Sequence, residues 1–426
     1  MQASAHVPKL PAMTTTITTR TLRCGMPLIV EPMSGVRSAA MCWLLPAGSA
    51  YDPADKEGLS TMWAELLLRG AGPRSSREHA DAADRLGASR ATELGTYTMR
   101  VGSTMLGERF LDTLPLIVDM VLRPRMDEDA VEPCRDLALQ SLASLKDDPQ
   151  ERAMLLARSR HHAAPFNRSG MGTEEGLNSL SREDLADGWS SLAKPGRAIF
   201  AAAGAVDPDA IERALNDLLN GWSGNTEEPR PTSPPTRGYA HETDESNQVQ
   251  IILAHDAPPE PAPECVLERL AVSVLSGGMS GRLFSEVREK RGLCYSVSAG
   301  YRADRDYGVV TAYVGTTPER AQESLDVLVG ELNRLNEGAG AVTPDEFKRA
   351  KVGMKSGLVF SGESTGSRAV ALASDQRKLG RPRSLEELAR QIDAVTLDQL
   401  NGYLATRRLG KVTIQTLGPR ELKSPV

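Results

Sequence analysis

The chain has 426 residues, 40% of them apolar and 25% charged, with a formal net charge of −6. The length exceeds one ordinary core and points to two or three domains. The negative balance excludes nucleic acid as the main partner, and no run of about 18 apolar residues is present to span a membrane. Five cysteines, Cys24, Cys42, Cys134, Cys265 and Cys294, stand singly with no C-x-x-C pair, the usage of reduced thiols in a cytoplasmic protein.

Residues 1–13 read as a disordered tail, with no apolar secretory core; residues 1–30 hold no acid but several Ser/Thr and basic residues, a bias that faintly resembles a transit peptide. A first strand is expected at Thr14–Leu22, then strands at Ala39–Leu45 and Glu93–Val101. Amphipathic helices follow at Gly107–Leu122 and Asp127–Leu145, and a last strand at Ala198–Ala203. The polar, proline-rich stretch 223–247 reads as a linker between an N-terminal domain, 14–222, and a C-terminal domain, 248–426. Beyond it come strands Gln248–Ala254, Leu293–Ala299 and Gly308–Gly315, helices Pro318–Leu335 and Pro344–Val359, and a strand at Lys411–Thr416.

The two parts repeat each other. Glu108–Arg109 recurs as Glu319–Arg320, and Ser181 recurs as Thr396, each an N-cap candidate, at a nearly constant offset of about 210 residues. Strands and helices segregate within each copy, so the expected class is α+β: two homologous halves, each a mainly antiparallel sheet packed by helices.

The run Gly277–Tyr301, GGMSGRLFSEVREKRGLCYSVSAGY, concentrates the chemistry. Gly277, Gly278, Met279 and Ser280 form a loop that lets another chain approach closely, Arg282–Lys290 has helical composition, and Leu293–Tyr301 alternates like a strand. Arg288 offers a planar fork of donors to a carbonyl or carboxylate, and Tyr295 an amphipathic contact. The bland alternative pairs Arg288 with Glu286 or Glu289 and buries Tyr295 in the sheet.

This run resembles the C-terminal-half signature of the pitrilysin/insulinase family of zinc peptidases, the inverzincins. Asp147–Pro149 (DDP) and Gly172–Leu185 (GTEEGLNSLSREDL) resemble landmarks of the family's first half, so the resemblance extends from about Thr14 to Pro419. It implies two α+β halves closing as a clamshell around a peptide chamber. The family's zinc helix carries H-x-x-E-H, two His on one helical face and a Glu that polarises water. Aligning Gly58–Gly70 (GLSTMWAELLLRG) with that helix puts Thr61 and Glu65 at the His positions and Ala64 at the Glu position, while the third ligand falls on Ser141. The metal motif is lost, and none of His6, His79, His161, His162, His241 and His255 forms an i,i+4 pair to replace it.

The resemblance places Arg288 and Tyr295 on the family's pair that reaches toward the zinc site to hold substrate and transition state. The family's N-A-x-T strand appears as Arg90-Ala91-Thr92-Glu93. The implied role is the non-catalytic, substrate-binding subunit of a heterodimeric peptidase, as in the alpha subunit of the mitochondrial processing peptidase. Such a subunit carries no cofactor of its own and donates Arg288 and Tyr295 to a homologous zinc-bearing partner acting on peptide or unfolded polypeptide. A peptide-binding or scaffold protein with no part in proteolysis is the alternative.

Overall fold

The computed structural model describes residues 16–424, so the expected tail at 1–13 lies outside the described residues. The first half holds strands β1 (Thr18–Thr21), β2 (Pro27–Pro32), β3 (Ser38–Leu45), the short hairpin β4 (Gly70–Ala71) and β5 (Arg74–Ser75), β6 (Ala91–Leu94), β7 (Met99–Leu106) and β8 (Ile199–Gly204). Its helices are α1 (Leu59–Leu66), α2 (Ser76–Arg85), α3 (Phe110–Leu122), α4 (Glu128–Ser144), α5 (Pro149–His161), α6 (Glu174–Ser179), α7 (Arg182–Leu192) and α8 (Pro208–Leu218). The second half holds β9 (Gly238–Thr243), β10 (Val249–Ala257), β11 (Cys294–Ala303), β12 (Gly308–Thr316) and β13 (Thr413–Gly418). Its helices are α9 (Cys265–Ser276), α10 (Ala321–Arg334), α11 (Pro344–Gly362), α12 (Thr365–Leu379), α13 (Leu385–Ala394) and α14 (Leu397–Thr406).

Two sheets carry the fold, in the orders β1-β2-β8-β3-β7-β6 and β11-β12-β10-β13-β9. Read from opposite ends they coincide: β6, β7, β3, β8 and β2 match β11, β12, β10, β13 and β9. The one parallel pairing of the first sheet, β2 with β8, matches the one parallel pairing of the second, β9 with β13. Local signals repeat as well. Ser181 and Thr396 each close a reciprocal capping box at a helix start, with Asp184 and Gln399.

Two expectations are corrected. Residues Glu93–Val101 are a hairpin rather than one strand, since Gly95 and Thr98 close a turn, Gly95 N to Thr98 O at 2.9 Å, between β6 and β7. Within 223–247, residues Gly238–Thr243 form β9, whose partner β13 lies far along the chain and leaves no local trace.

Each sheet has its own helices on one face and a helix borrowed from the other half on the opposite face. On the first sheet, Ala369, Leu372 and Ala373 of α12 pack onto Ala40, Cys42, Ala201 and Ala203. On the second, Ala153 and Ala157 of α5 pack onto Ile252, Tyr313 and Leu417. Alanines let the helix backbones approach closely. Burial on both faces explains why β3 and β8 read as unbroken apolar runs instead of alternating.

The exchange is pinned by matching ion pairs. Arg368 of α12 meets Glu31 of β2, Nε to Oε2 at 2.7 Å, with both side chains 2% exposed. At the equivalent place Arg152 of α5 meets Glu242 of β9 and also Asp244, the latter at 2.8 Å, with Arg152 30% exposed.

Candidate substrate site

Helix α1 is held by its own half. Asp52 caps its N-terminus, accepting from Gly58 N, Ser60 N and Ser60 Oγ, each at 3.0 Å. Burial pushes the Asp52 carboxyl up to about 6 against the pull of those hydrogen bonds. Trp63 Nε1 donates to Leu185 O at 2.9 Å and its ring meets Trp189 edge-on, which fastens α1 to α7. The loop after α5 covers the other side: Gly172 packs so closely that a Cβ there would lie 2.6 Å from the Gly58 Cα.

The four positions aligned with a zinc motif sit in this frame. Thr61 Oγ1 donates to Gly170 O at 2.8 Å, and the Ala64 carbonyl accepts from Thr92 Oγ1 of β6 at 2.6 Å. Glu65 lies 3.8 Å from Arg69, one turn on, and is 44% exposed. Ser141, on the exposed face of α4, turns its Oγ back to Leu137 O at 2.9 Å. Helix α4 does run beside α1, because the buried Cys134 lies next to Arg69 and Glu65. Among the described residues no group of three or more His, Cys, Asp or Glu is placed to hold a metal ion.

The segment from Gly277 differs in character. Gly278 has φ of 121°, in the region that favours glycine, and a Cβ there would meet nothing within 4 Å. Met279 beside it is 72% exposed. Arg282, nearly buried, anchors the loop: its guanidinium grips Glu346 through Nε at 2.7 Å and Nη2 at 2.9 Å, and donates to Gly340 O at 2.7 Å. Burial alone would raise the Glu346 carboxyl, but Arg282 and the Thr343 N–H override it and bring it down to about 2.

Two backbone irregularities then aim the two residues of interest. Phe284–Glu289 is a π-helical turn, and the register between β11 and β12 shifts between Cys294 and Ser296, a bulge at Tyr295. Such features re-aim side chains and recur at functional sites. Arg288 Cζ lies 4.9 Å from the Tyr295 ring centroid, so the pair is in contact, and Tyr295 is 83% exposed. Glu286 instead binds Lys290 at 2.7 Å and Arg291 at 2.8 Å. Among the described residues neither Glu286 nor Glu289 pairs with Arg288, and Tyr295 is not buried, so the bland alternative is not what the fold builds.

Residues 30–173 match the insulinase (peptidase family M16) description, and residues 179–354 match the peptidase M16 inactive domain. The chain belongs to the insulinase peptidase family. An uncharacterized zinc protease of Mycobacterium tuberculosis is 28% identical over 428 residues, covering 95% of this chain and 96% of that protein. Another, from Bacillus subtilis, is 25% identical over 393 residues, covering 90% and 93%. A peptidase M16 inactive domain from Pseudomonas fluorescens aligns with a TM-score of 0.83 at 20% identity, covering 96% of this chain and 100% of that one. A Helicobacter pylori protease aligns at 0.79 and 17% identity, covering 95% and 99%. Both share the fold.

Family membership implies zinc, and the residues at Thr61, Ala64, Glu65 and Ser141 do not fit it. One carboxylate, two hydroxyls already donated to carbonyls and a methyl group are not a tetrahedral N/S/O ligand set.

Arg90, which stands for an amide in the family's strand, is turned away from β6's open edge: its Nη1 lies 2.6 Å from His79 Nδ1, while His79 Nε2 meets Leu116 O at 3.1 Å. Burial lowers the pKa of both groups. Sequence reading also passed over Arg282 as one basic residue among several, and its burial against Glu346 has no signal in local composition. His161 and His162 end α5 at the seam between the halves, the first with Nδ1 3.0 Å from Thr413 Oγ1, the second edge-on to Tyr307.

Proposed function

We propose that this chain is the non-catalytic, substrate-binding subunit of a two-chain insulinase-family metallopeptidase in the cytoplasm. Its Gly277–Ser280 loop, Arg288 and Tyr295 complete a site whose zinc, water and general base belong to a homologous partner. The observation that carries the reading is a contrast within one molecule. Thr61 Oγ1 and the Ala64 carbonyl are hydrogen-bonded within the chain, whereas the half-buried Arg288 lies against the 83% exposed Tyr295 and donates to no group among the described residues.

The chemistry suits the role. An Arg and a phenol are donors for the oxyanion that develops when water adds to a peptide carbonyl, and neither needs a metal of its own. The open space beside Gly278 leaves room for a polypeptide to approach. The relatives named zinc proteases and the match to an inactive domain are both in keeping with a peptidase assembly in which this chain is the quiet member.

The test is purification of the native assembly with mass and metal analysis, followed by peptide cleavage. The expected result is a partner of similar length bearing H-x-x-E-H, one zinc per heterodimer, and cleavage reduced about 100-fold or more by Arg288→Ala, the size of losing an oxyanion donor. Equal cleavage by the Arg288→Ala/Tyr295→Phe assembly would sink the reading and leave a scaffold role.

A further inference from the structure

The Arg288 guanidinium has a second aromatic neighbour. Its Cζ lies 4.8 Å from the Phe284 ring centroid, one helical turn earlier, as well as 4.9 Å from that of Tyr295. Among the described residues nothing accepts a hydrogen bond from it or forms an ion pair with it. Glu286, the acid on the same turn best placed to neutralise it, is engaged by Lys290 and Arg291.

An arginine at a surface turn ordinarily samples many rotamers, losing about 2 kcal/mol of side-chain freedom when fixed. Aromatic faces fix it differently from a carboxylate. They attract the cation through the ring quadrupole and take none of its five N–H donors.

We infer that Phe284 is a positioning residue: with Tyr295 it holds the Arg288 guanidinium in place while keeping its N–H edge open for an oxygen anion, a carboxylate or a peptide carbonyl acquiring negative charge. The inference rests on the proposed function and names a residue that function had not used. Phe284 contacts no substrate itself. It is carried on the π-helical turn anchored by Arg282, so its ring is set by the same brace that sets the loop.

The experiment has one arm on the free chain and one on the assembly. In the free chain, the Arg288 Nε–Hε resonance is expected at a ring-current-shifted position. Phe284→Leu should move it toward the value of a free arginine, and Phe284→Trp should keep it displaced. In the assembly with the zinc-bearing partner, Phe284→Leu should lower kcat/KM for peptide cleavage about 2- to 5-fold, the value of one exposed cation–π contact. Phe284→Trp should restore it, and Phe284→Leu should add nothing to Arg288→Ala. An Arg288 resonance indifferent to Phe284→Leu, or a loss fully additive with Arg288→Ala, overturns the inference. If the resonance moves but cleavage ignores both Phe284→Leu and Arg288→Ala, the positioning role stands and the peptidase-subunit reading falls.

Discussion

In the first half, the helix aligned with the family's metal-binding helix has Thr61 bonded to Gly170 O and the Ala64 carbonyl bonded to Thr92, with Glu65 half-exposed beside Arg69. In the second half, a segment braced by Arg282 exposes Met279 and Tyr295, with the half-buried Arg288 against the Tyr295 ring. The two halves share topology, capping boxes and even the ion pair that pins the borrowed helix, so fold alone does not distinguish them. They differ in that Thr61 Oγ1 and the Ala64 carbonyl are hydrogen-bonded within the chain, whereas the Arg288 guanidinium donates to no group among the described residues.

That contrast can be broken most forcefully at the pins. Arg368→Ala leaves Glu31 buried without its partner at the α12 seam and is expected to cost about 3–5 kcal/mol in denaturant unfolding. Arg152→Ala, at the equivalent but partly exposed seam, should cost about 1 kcal/mol or less. Equal losses would mean that the two exchanges contribute alike, against the larger apolar contact made by α12.

The buried carboxylates of the two halves should respond to pH in opposite directions. Asp52 has its folded pKa raised above the unfolded value, so its contribution is complete below about pH 4 and is lost as pH rises through about 6. The stability advantage of the wild type over Asp52→Asn is therefore expected to shrink by about 3 kcal/mol across that window. Glu346 has its folded pKa depressed, so its contribution is complete above pH 4.5 and is lost as pH falls through about 2. Glu346→Gln should cost about 1–2 kcal/mol at pH 7, with the gap closing in acid. Parallel pH profiles for the two variants would contradict the assignment.

Thr61→Val removes the hydroxyl that ties α1 to the covering loop and is expected to lower stability by about 1 kcal/mol without changing cleavage by the assembly. Tyr295→Ala should do the reverse. An 83% exposed side chain should change stability by less than about 0.5 kcal/mol while cleavage falls. A variant of Thr61 that alters turnover, or a Tyr295 variant that unfolds the chain, would erase the distinction between the halves.

Much of this was legible in the chain because the relevant physics is local. A capping box joins residues three apart, so Ser181 and Thr396 could be read directly, and their common offset exposed the duplication. The loop and strand of Gly277–Tyr301 followed from glycine and alternation, and the placing of Thr61, Ala64, Glu65 and Ser141 from the resemblance to the family's motif. Strand β9 was missed because its hydrogen bonds go to β13, and the contact of Arg90 with His79 has no local signal because His79 lies on another element.

The sequence by itself determined the α+β class, the two-fold repeat and which residue types remain at each aligned position. Tertiary structure alone decided that α5 and α12 change places and that Arg368 meets Glu31 across 337 residues. The reason is the range of the forces involved. Caps, turns and amphipathic periods are set by neighbours a few residues away, whereas the burial of an ion pair between residues hundreds of positions apart exists only once distant elements have packed.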